Sequence, residues 1–207
     1  FVRMVKEFKE KNEWALILGG SSGLGLATAK KLAKHGMNIC IVHRNSRTQL
    51  VNIEKEFQKI TQEGVSFISY NIDAFHSEKR AKLIENLPQK LNGGLIKTLV
   101  HSVAKGNLKP MVSKTSPTLN TDDFQLTIQA MGVSLYDWTK SIFEAKLFSE
   151  DARIISFTSE GNTKAWKNYA AVSAAKVTLE AITRNIALEF ASHGIRANCI
   201  QAGVTDT

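Results

Sequence analysis

Six short apolar runs alternate with longer stretches of helical periodicity along this 207-residue chain. That alternation restricts the fold more than any other feature. The runs lie at 14–18, 37–43, 65–70, 95–101, 153–158 and 196–201, and helical spacing is read over 26–35, 48–62, a segment ending near Pro88, 121–147 and 169–193. Strands separated by helices pair in parallel through right-handed crossovers, so the expected fold is a doubly wound α/β sheet with helices on both faces, three layers in all. A hydrophobic content of 43% at this length suits one well-filled core, and residues 1–207 are read as one domain. Such sheets bind ligands beyond the C-terminal ends of their strands.

The chemically distinctive residues fall at those ends. The first run leads into Gly19-Gly20-Ser21-Ser22-Gly23-Leu24-Gly25, and a helix follows that Gly36 is placed to stop with a left-handed cap. Glycines at 19, 23 and 25 allow a tight turn and close approach of a pyrophosphate to the helix N-terminus, whose N–H groups and dipole favour anions. His43-Arg44 follow the second run, Asp73 the third, Ser102-Val103-Ala104 the fourth, Ser159 the fifth and 203–207 the sixth. Gly106, Lys109-Pro110 and 113–121 form the longest loop, at the rim of the same crevice.

Tyr169 and Lys176 open the last helical stretch seven residues apart. Seven residues make almost two turns, so one face carries a phenol and an ammonium about 10 Å apart along the axis. A proton donor beside a cation is one reading of this pair; an interior aromatic and a solvated charge is the other.

Charge and composition narrow the classes. The net charge of +8 arises from basic residues scattered along helices, with no recognisable nucleic-acid module, so an anionic cofactor or an acidic protein is the expected partner. No run of 18 apolar residues is present and the opening segment is too charged for a signal peptide, which leads us to expect a soluble, cytoplasmic protein without membrane partners. Cys40 and Cys199 lie in apolar runs with no metal-ligand spacing and read as buried, reduced fillers; no metal site is expected.

Over nearly its whole length the chain resembles the short-chain dehydrogenase/reductase family, through its element order, Gly19-x3-Gly23-x-Gly25 and Asn198-Cys-Ile-Gln-Ala202-Gly203-Val-Thr-Asp-Thr207. Within it, the chain is most similar to the enoyl-acyl-carrier-protein reductases. His101-Ser102-Val103 stands where most of the family has an Asn-Asn-Ala-Gly type of sequence. The Tyr–Lys spacing is Y-x6-K where most members have Y-x3-K, with Val172 at the usual tyrosine position. Ala202-Gly203 replaces the usual Pro-Gly, and the catalytic asparagine of many members is not evident in 128–134. The chain departs from the commonest enoyl reductases in its short glycine loop and in Ser159, where they carry a second tyrosine; Leu18 replaces the family's usual threonine.

The resemblance implies a Rossmann fold and NAD(P)H-dependent reduction of the 2,3 double bond of an enoyl thioester in fatty-acid biosynthesis. Carbonyl or 3-ketoacyl reduction, or nucleotide binding without catalysis, are the alternatives. It assigns Tyr169 to the thioester carbonyl and Lys176 to the nicotinamide ribose. Ser159 either donates to the carbonyl or only shapes its turn. The implied cofactor contacts are Gly19, Ser21, Ser22, Gly23, Leu24, Gly25, Arg44, Asp73, Ser102, Val103, Lys176, Gly203, Thr205 and Thr207. Asp73 would contact adenine, its alternative being a helix cap, and His101 is read as packing. An acidic residue is missing at the end of strand two and Arg44 is present there, which favours NADPH over NADH. Also implied are an acidic acyl carrier protein, a homodimer or homotetramer, and a C-terminal segment with a last strand beyond the 207 residues.

Overall fold

The computed structural model describes residues 6–203. The elements in order are β1 (Glu13–Leu18), α1 (Gly23–Lys34), β2 (Asn38–His43), α2 (Arg47–Thr61), β3 (Phe67–Asn71), α3 (Ser77–Lys90), β4 (Leu95–His101), α4 (Thr121–Ile128), α5 (Ser134–Glu144), β5 (Phe148–Ser159), α6 (Ala170–Glu189) and β6 (Ile195–Ala202). All strand pairs are parallel, in the order β3-β2-β1-β4-β5-β6. The chain reverses its direction of winding between β1 and β4, which opens a crevice at their C-terminal ends.

Both faces of the central strand are covered, which is why it reads as a continuous apolar run. Leu16 and Leu18 join Leu87 of α3, Trp138 of α5 and Leu179 of α6 in one core; Ala15 and Ile17 join Ala29 of α1 and Phe57 of α2 in the other. Gly36 has φ +89° and ends α1 as expected. Its N–H donates to Ala33 while that of Met37 donates to Leu32, the paired closure of a Schellman turn.

The single long helix expected over 121–147 is two helices. A π turn, Gln129–Val133, separates α4 from α5. Hydrophobic spacing alone does not reveal the one-residue change of phase that such a turn introduces. α6 stops at Glu189 and is followed by a 3₁₀ turn, Ala191–His193, and by Gly194 in the left-handed region. β5 begins five residues before the run that announced it, because Phe148 pairs with Ile96 across an irregular stretch. α3 continues two residues past Pro88. Cys40 is buried and its thiol is pushed up to about 12 by burial. Cys199 is only partly buried and is no apolar filler, since its Sγ stands 3.0 Å from Ser156 Oγ and 3.3 Å from Thr183 Oγ1. No described helix is long and apolar enough to cross a membrane.

Candidate active site

The floor of the crevice is laid by the ends of β1 and β4. The N–H of Gly19 donates to Val42 at 2.8 Å and that of Ser102 to Leu18 at 2.9 Å, so the sheet is tied one residue beyond each strand. Gly19 has φ +80°, and a Cβ there would lie 2.0 Å from the Ser102 carbonyl oxygen. A Cβ on Gly25 would lie 2.3 Å from the carbonyl oxygen of Gly19. Only glycines let the turn, the helix start and β4 meet this closely.

Above the turn, the N-terminus of α1 opens into the crevice. Its first turn holds no acidic residue, and the Ser22 side chain makes no capping bond to the helix. The 12-residue helix thus presents its N–H groups and positive dipole end beside a glycine cradle, an arrangement that fits the pyrophosphate of a dinucleotide. The whole crevice encloses about 840 Å³, enough for such a cofactor and the reacting end of a second molecule.

At one end of the crevice Arg44, just past β2, donates from Nη1 to Asp73 Oδ2 at 2.7 Å. Asp73 Oδ1 accepts the N–H of Phe75 at 3.0 Å, which folds the strand exit into a turn; the cap position of α3 is His76, so Asp73 is not the helix cap. Lys105 completes this cluster, with Nζ 3.8 Å from Asp73 Oδ2 and 4.7 Å from the centroid of the Phe75 ring. His43 beneath is buried, packs edge-on against Phe57 and is held low in pKa by burial.

At the other end stand Tyr169, Lys176 and Ser159. Tyr169 is the residue immediately before α6, with Asn168 in the left-handed region, so the chain turns sharply to deliver the phenol. The Tyr169 hydroxyl lies 3.2 Å from Ser159 Oγ, and its ring meets Trp166 edge-on with centroids 5.1 Å apart. Lys176, 8% exposed, donates from Nζ to the Phe157 carbonyl of β5 at 2.6 Å. Burial lowers its pKa to about 8, opposed by Cys199 and Glu180. His101 is buried and, by burial and the nearby Lys176 charge, is lowered to about 3. Its Nε2 meets Ser134 Oγ at 2.7 Å, a packing role in a neutral ring, as expected.

The crevice is lined by Gly19, Ser21, Ser22, Gly23, Leu24, Arg44, Asp73, Ser102, Val103, Ser159, Tyr169, Lys176 and Gly203, all singled out from the sequence. Gly25 lies behind the turn and shapes it. Thr205 and Thr207 lie outside the described residues. Sequence reasoning missed Lys105, Phe75, Met131 and Trp166, which also line the crevice. It missed Gly161 as well: a Cβ there would stand 2.3 Å from Cε1 of Tyr169. A glycine between the fifth strand and the suspected catalytic tyrosine was the available signal.

The rim loop over 104–120 is anchored through buried Asp123 of α4. Its carboxylate accepts from Lys109 Nζ at 2.8 and 2.9 Å, from Asn107 Nδ2 and from the N–H of Asn120. The Lys109 ammonium holds the carboxyl below its ordinary range.

Comparison with known proteins agrees with this geometry. A family model described as Enoyl-(Acyl carrier protein) reductase matches residues 19–207. The enoyl-[acyl-carrier-protein] reductase [NADPH] FabI of Staphylococcus aureus is 28% identical over 93% of this chain and 73% of its own length. A tropinone reductase homolog from Arabidopsis thaliana is 27% identical over 94% and 71%, and the 7alpha-hydroxysteroid dehydrogenase of Paraclostridium sordellii 27% identical over 96% and 72%. The solved structure of an NAD+-bound xylitol dehydrogenase superposes with a TM-score of 0.80 at 25% identity, covering 95% of this chain and 71% of that one. A short-chain alcohol dehydrogenase structure from Sinorhizobium meliloti reaches 0.83 at 19% identity, covering 99% and 76%, and so shares the fold. The chain belongs to the short-chain dehydrogenase/reductase family and is an oxidoreductase that works with NAD(P)H.

Proposed function

We propose that this protein reduces the 2,3 double bond of an enoyl thioester, using NADPH. The observation that carries this reading is at positions 169 and 172. Val172 is buried in the first turn of α6, while the phenol stands three residues earlier, before the helix, yet lines the same crevice as Lys176. A conjugated thioester accepts a hydride at its β-carbon, whereas the negative charge develops on the carbonyl oxygen, three bonds away. A donor displaced from the lysine by an extra turn suits that separation; a ketone carries the charge on the oxygen of the attacked carbon, which suits the shorter spacing.

The bound reduced nicotinamide supplies the hydride. Tyr169 donates a hydrogen bond to the thioester oxygen and stabilises the enolate, whose α-carbon then takes a proton from solvent. Lys176 binds ribose hydroxyls with the N–H groups not engaged by Phe157 and places positive charge behind the phenol. The uncapped start of α1 takes the pyrophosphate. Arg44, held at the crevice by Asp73, suits the 2′-phosphate of NADPH with charge-assisted bonds, and the relative from S. aureus is named as an NADPH enzyme. An acidic acyl carrier protein fits the net charge of +8. Exposed Leu126, Tyr136 and Val177 on α4, α5 and α6 support a homodimer or homotetramer through these helices.

A second reading is carbonyl reduction, favoured by Ser159 at 3.2 Å from the Tyr169 hydroxyl, a pairing that suits a ketone oxygen. The two readings separate in one assay of NADPH oxidation with crotonyl and, separately, acetoacetyl thioester. We expect oxidation with crotonyl thioester, its loss in Tyr169→Phe, and weaker turnover with NADH. Oxidation by acetoacetyl thioester alone would replace the proposal with the second reading.

A further inference from the structure

The stripe of α6 that faces the end of β5 carries more than the tyrosine and the lysine. Tyr169, Ser173, Lys176 and Glu180 follow one another at steps of four, three and four, so they share one helical face. Each touches β5 or the 3₁₀ turn Glu160–Asn162 that continues it. Ser173 Oγ donates to the Gly161 carbonyl. Glu180 Oε1 accepts from Thr158 Oγ1 and from Asn162 Nδ2, both at 2.5 Å. Thr158 and Asn162 bracket Ser159 and Gly161, which both lie against Tyr169. Glu180 therefore grips the turn from one side and Ser173 from the other, seven residues apart.

We propose that Glu180 is a positioning residue for the active site: its carboxylate fixes the turn that holds Ser159 and Gly161 against Tyr169, and its charge supports the Lys176 ammonium one helical turn away. This rests on the reading of Tyr169 and Lys176 as the working pair. A carboxylate at a half-buried site accepts two hydrogen bonds more strongly than a neutral group, which suits it to hold a turn that must not shift. The groups that face Lys176 are His101 of β4, the Phe157 carbonyl of β5, Cys199 of β6 and Glu180 of its own helix, with Tyr169, just before that helix, lining the same crevice. His101 stays neutral because burial lowers it to about 3, and Cys199 sits in a hydroxyl cluster. Glu180 is thus the carboxylate of this set, and with Cys199 it opposes the effect of burial on the ammonium.

The test compares Glu180→Ala, Glu180→Gln and Asn162→Ala with wild type, with turnover of crotonyl thioester as one readout and the titration of Lys176 as another. The latter is read without cofactor, from the ε-carbon resonance of 13C-labelled lysine assigned with Lys176→Met. Glu180→Ala is expected to lower kcat on the order of tenfold to a hundredfold with the KM for NADPH little changed. Glu180→Gln keeps an acceptor oxygen for both bonds but removes the charge, so kcat near pH 6.5 is largely retained while Lys176 titrates at lower pH than in wild type. Asn162→Ala loses one grip and a few-fold in kcat, and stands in for Glu180→Ala if that variant does not fold. Unchanged kcat in Glu180→Ala, or in Asn162→Ala, overturns the positioning role. An unmoved Lys176 titration in Glu180→Gln overturns the electrostatic one. If the wild type turns over neither thioester, the enoyl reading fails on its own, and the lysine titration still decides on Glu180.

Discussion

Gly161 lies so close beneath Tyr169 that a methyl group on it would stand 2.3 Å from ring atom Cε1 and 2.7 Å from Cδ1. Trp166 meets the same ring edge-on. Gly161 therefore sets the height of the phenol above the crevice. In Gly161→Ala the ring must move, and a displacement of about 1 Å costs on the order of a hundredfold in rate. The expected outcome is a large drop in kcat with NADPH affinity retained, checked by steady-state kinetics beside a cofactor titration. Wild-type kcat in that variant would show that the phenol height is immaterial.

Lys176 is a buried cation whose pKa is lowered by burial from its ordinary value of 10.5 to about 8. Its folded pKa lies below its unfolded one, so the charged form is disfavoured by folding. The penalty is present in full below pH 8 and fades as pH rises from about 8 to 10.5. The shift corresponds to about 3 kcal/mol, reduced in a mutant by the lost bond to Phe157. Lys176→Met is expected to be more stable than wild type at pH 7 by about 1–2 kcal/mol, the gap closing towards pH 10.5. Urea unfolding across that pH range checks it; parallel curves for the two proteins would refute it.

Arg44 is expected to separate the two cofactors. With its guanidinium removed, NADPH should bind on the order of tenfold more weakly, as for the loss of one charge-assisted hydrogen bond, whereas NADH should be within about twofold. Fluorescence titration of Arg44→Ala with both nucleotides gives the answer. Equal loss for both would mean that Arg44 serves only to hold Asp73.

Asp123 anchors the rim loop, so Asp123→Ala should release it. Amide exchange over 104–120 is expected to quicken, and KM for the thioester to rise more than kcat falls, because the loop borders substrate and not the reacting atoms. The same release should set in at low pH as the carboxylate, held below its ordinary range by Lys109, is protonated. Protection of 104–120 unaltered by the substitution would count against the anchor.

The strands and the glycine turn were legible because they depend on local chemistry: apolar runs between helical stretches, and glycines where a Cβ would strike Ser102 or Gly19. Tyr169 and Lys176 were legible through their spacing. The residues that hold them were not, because Glu180, Thr158 and Asn162 meet only through tertiary packing, 18 and 22 residues apart in sequence. Lys105 escaped for the same reason, since its partners Asp73 and Phe75 come from the loop after β3. The break between α4 and α5 was illegible for a different reason: 129–133 contains no proline, and its one glycine, Gly132, faces Thr178 and the Ala175 carbonyl of α6, which no local pattern announces.

A π turn is an α-helix with one residue inserted. Deleting a single residue within Gln129–Val133 would leave a continuous helix able to form every main-chain bond, and the change would be silent in helix content. Because the turn absorbs its extra residue locally, Leu135, Trp138 and Ile142 would keep their fully enclosed places in the core. What the deletion would change is the turn itself, whose Gly132 lies against Thr178 of α6 and whose Met131 lines the crevice, so the smallest possible deletion would reach the site and leave the core its register.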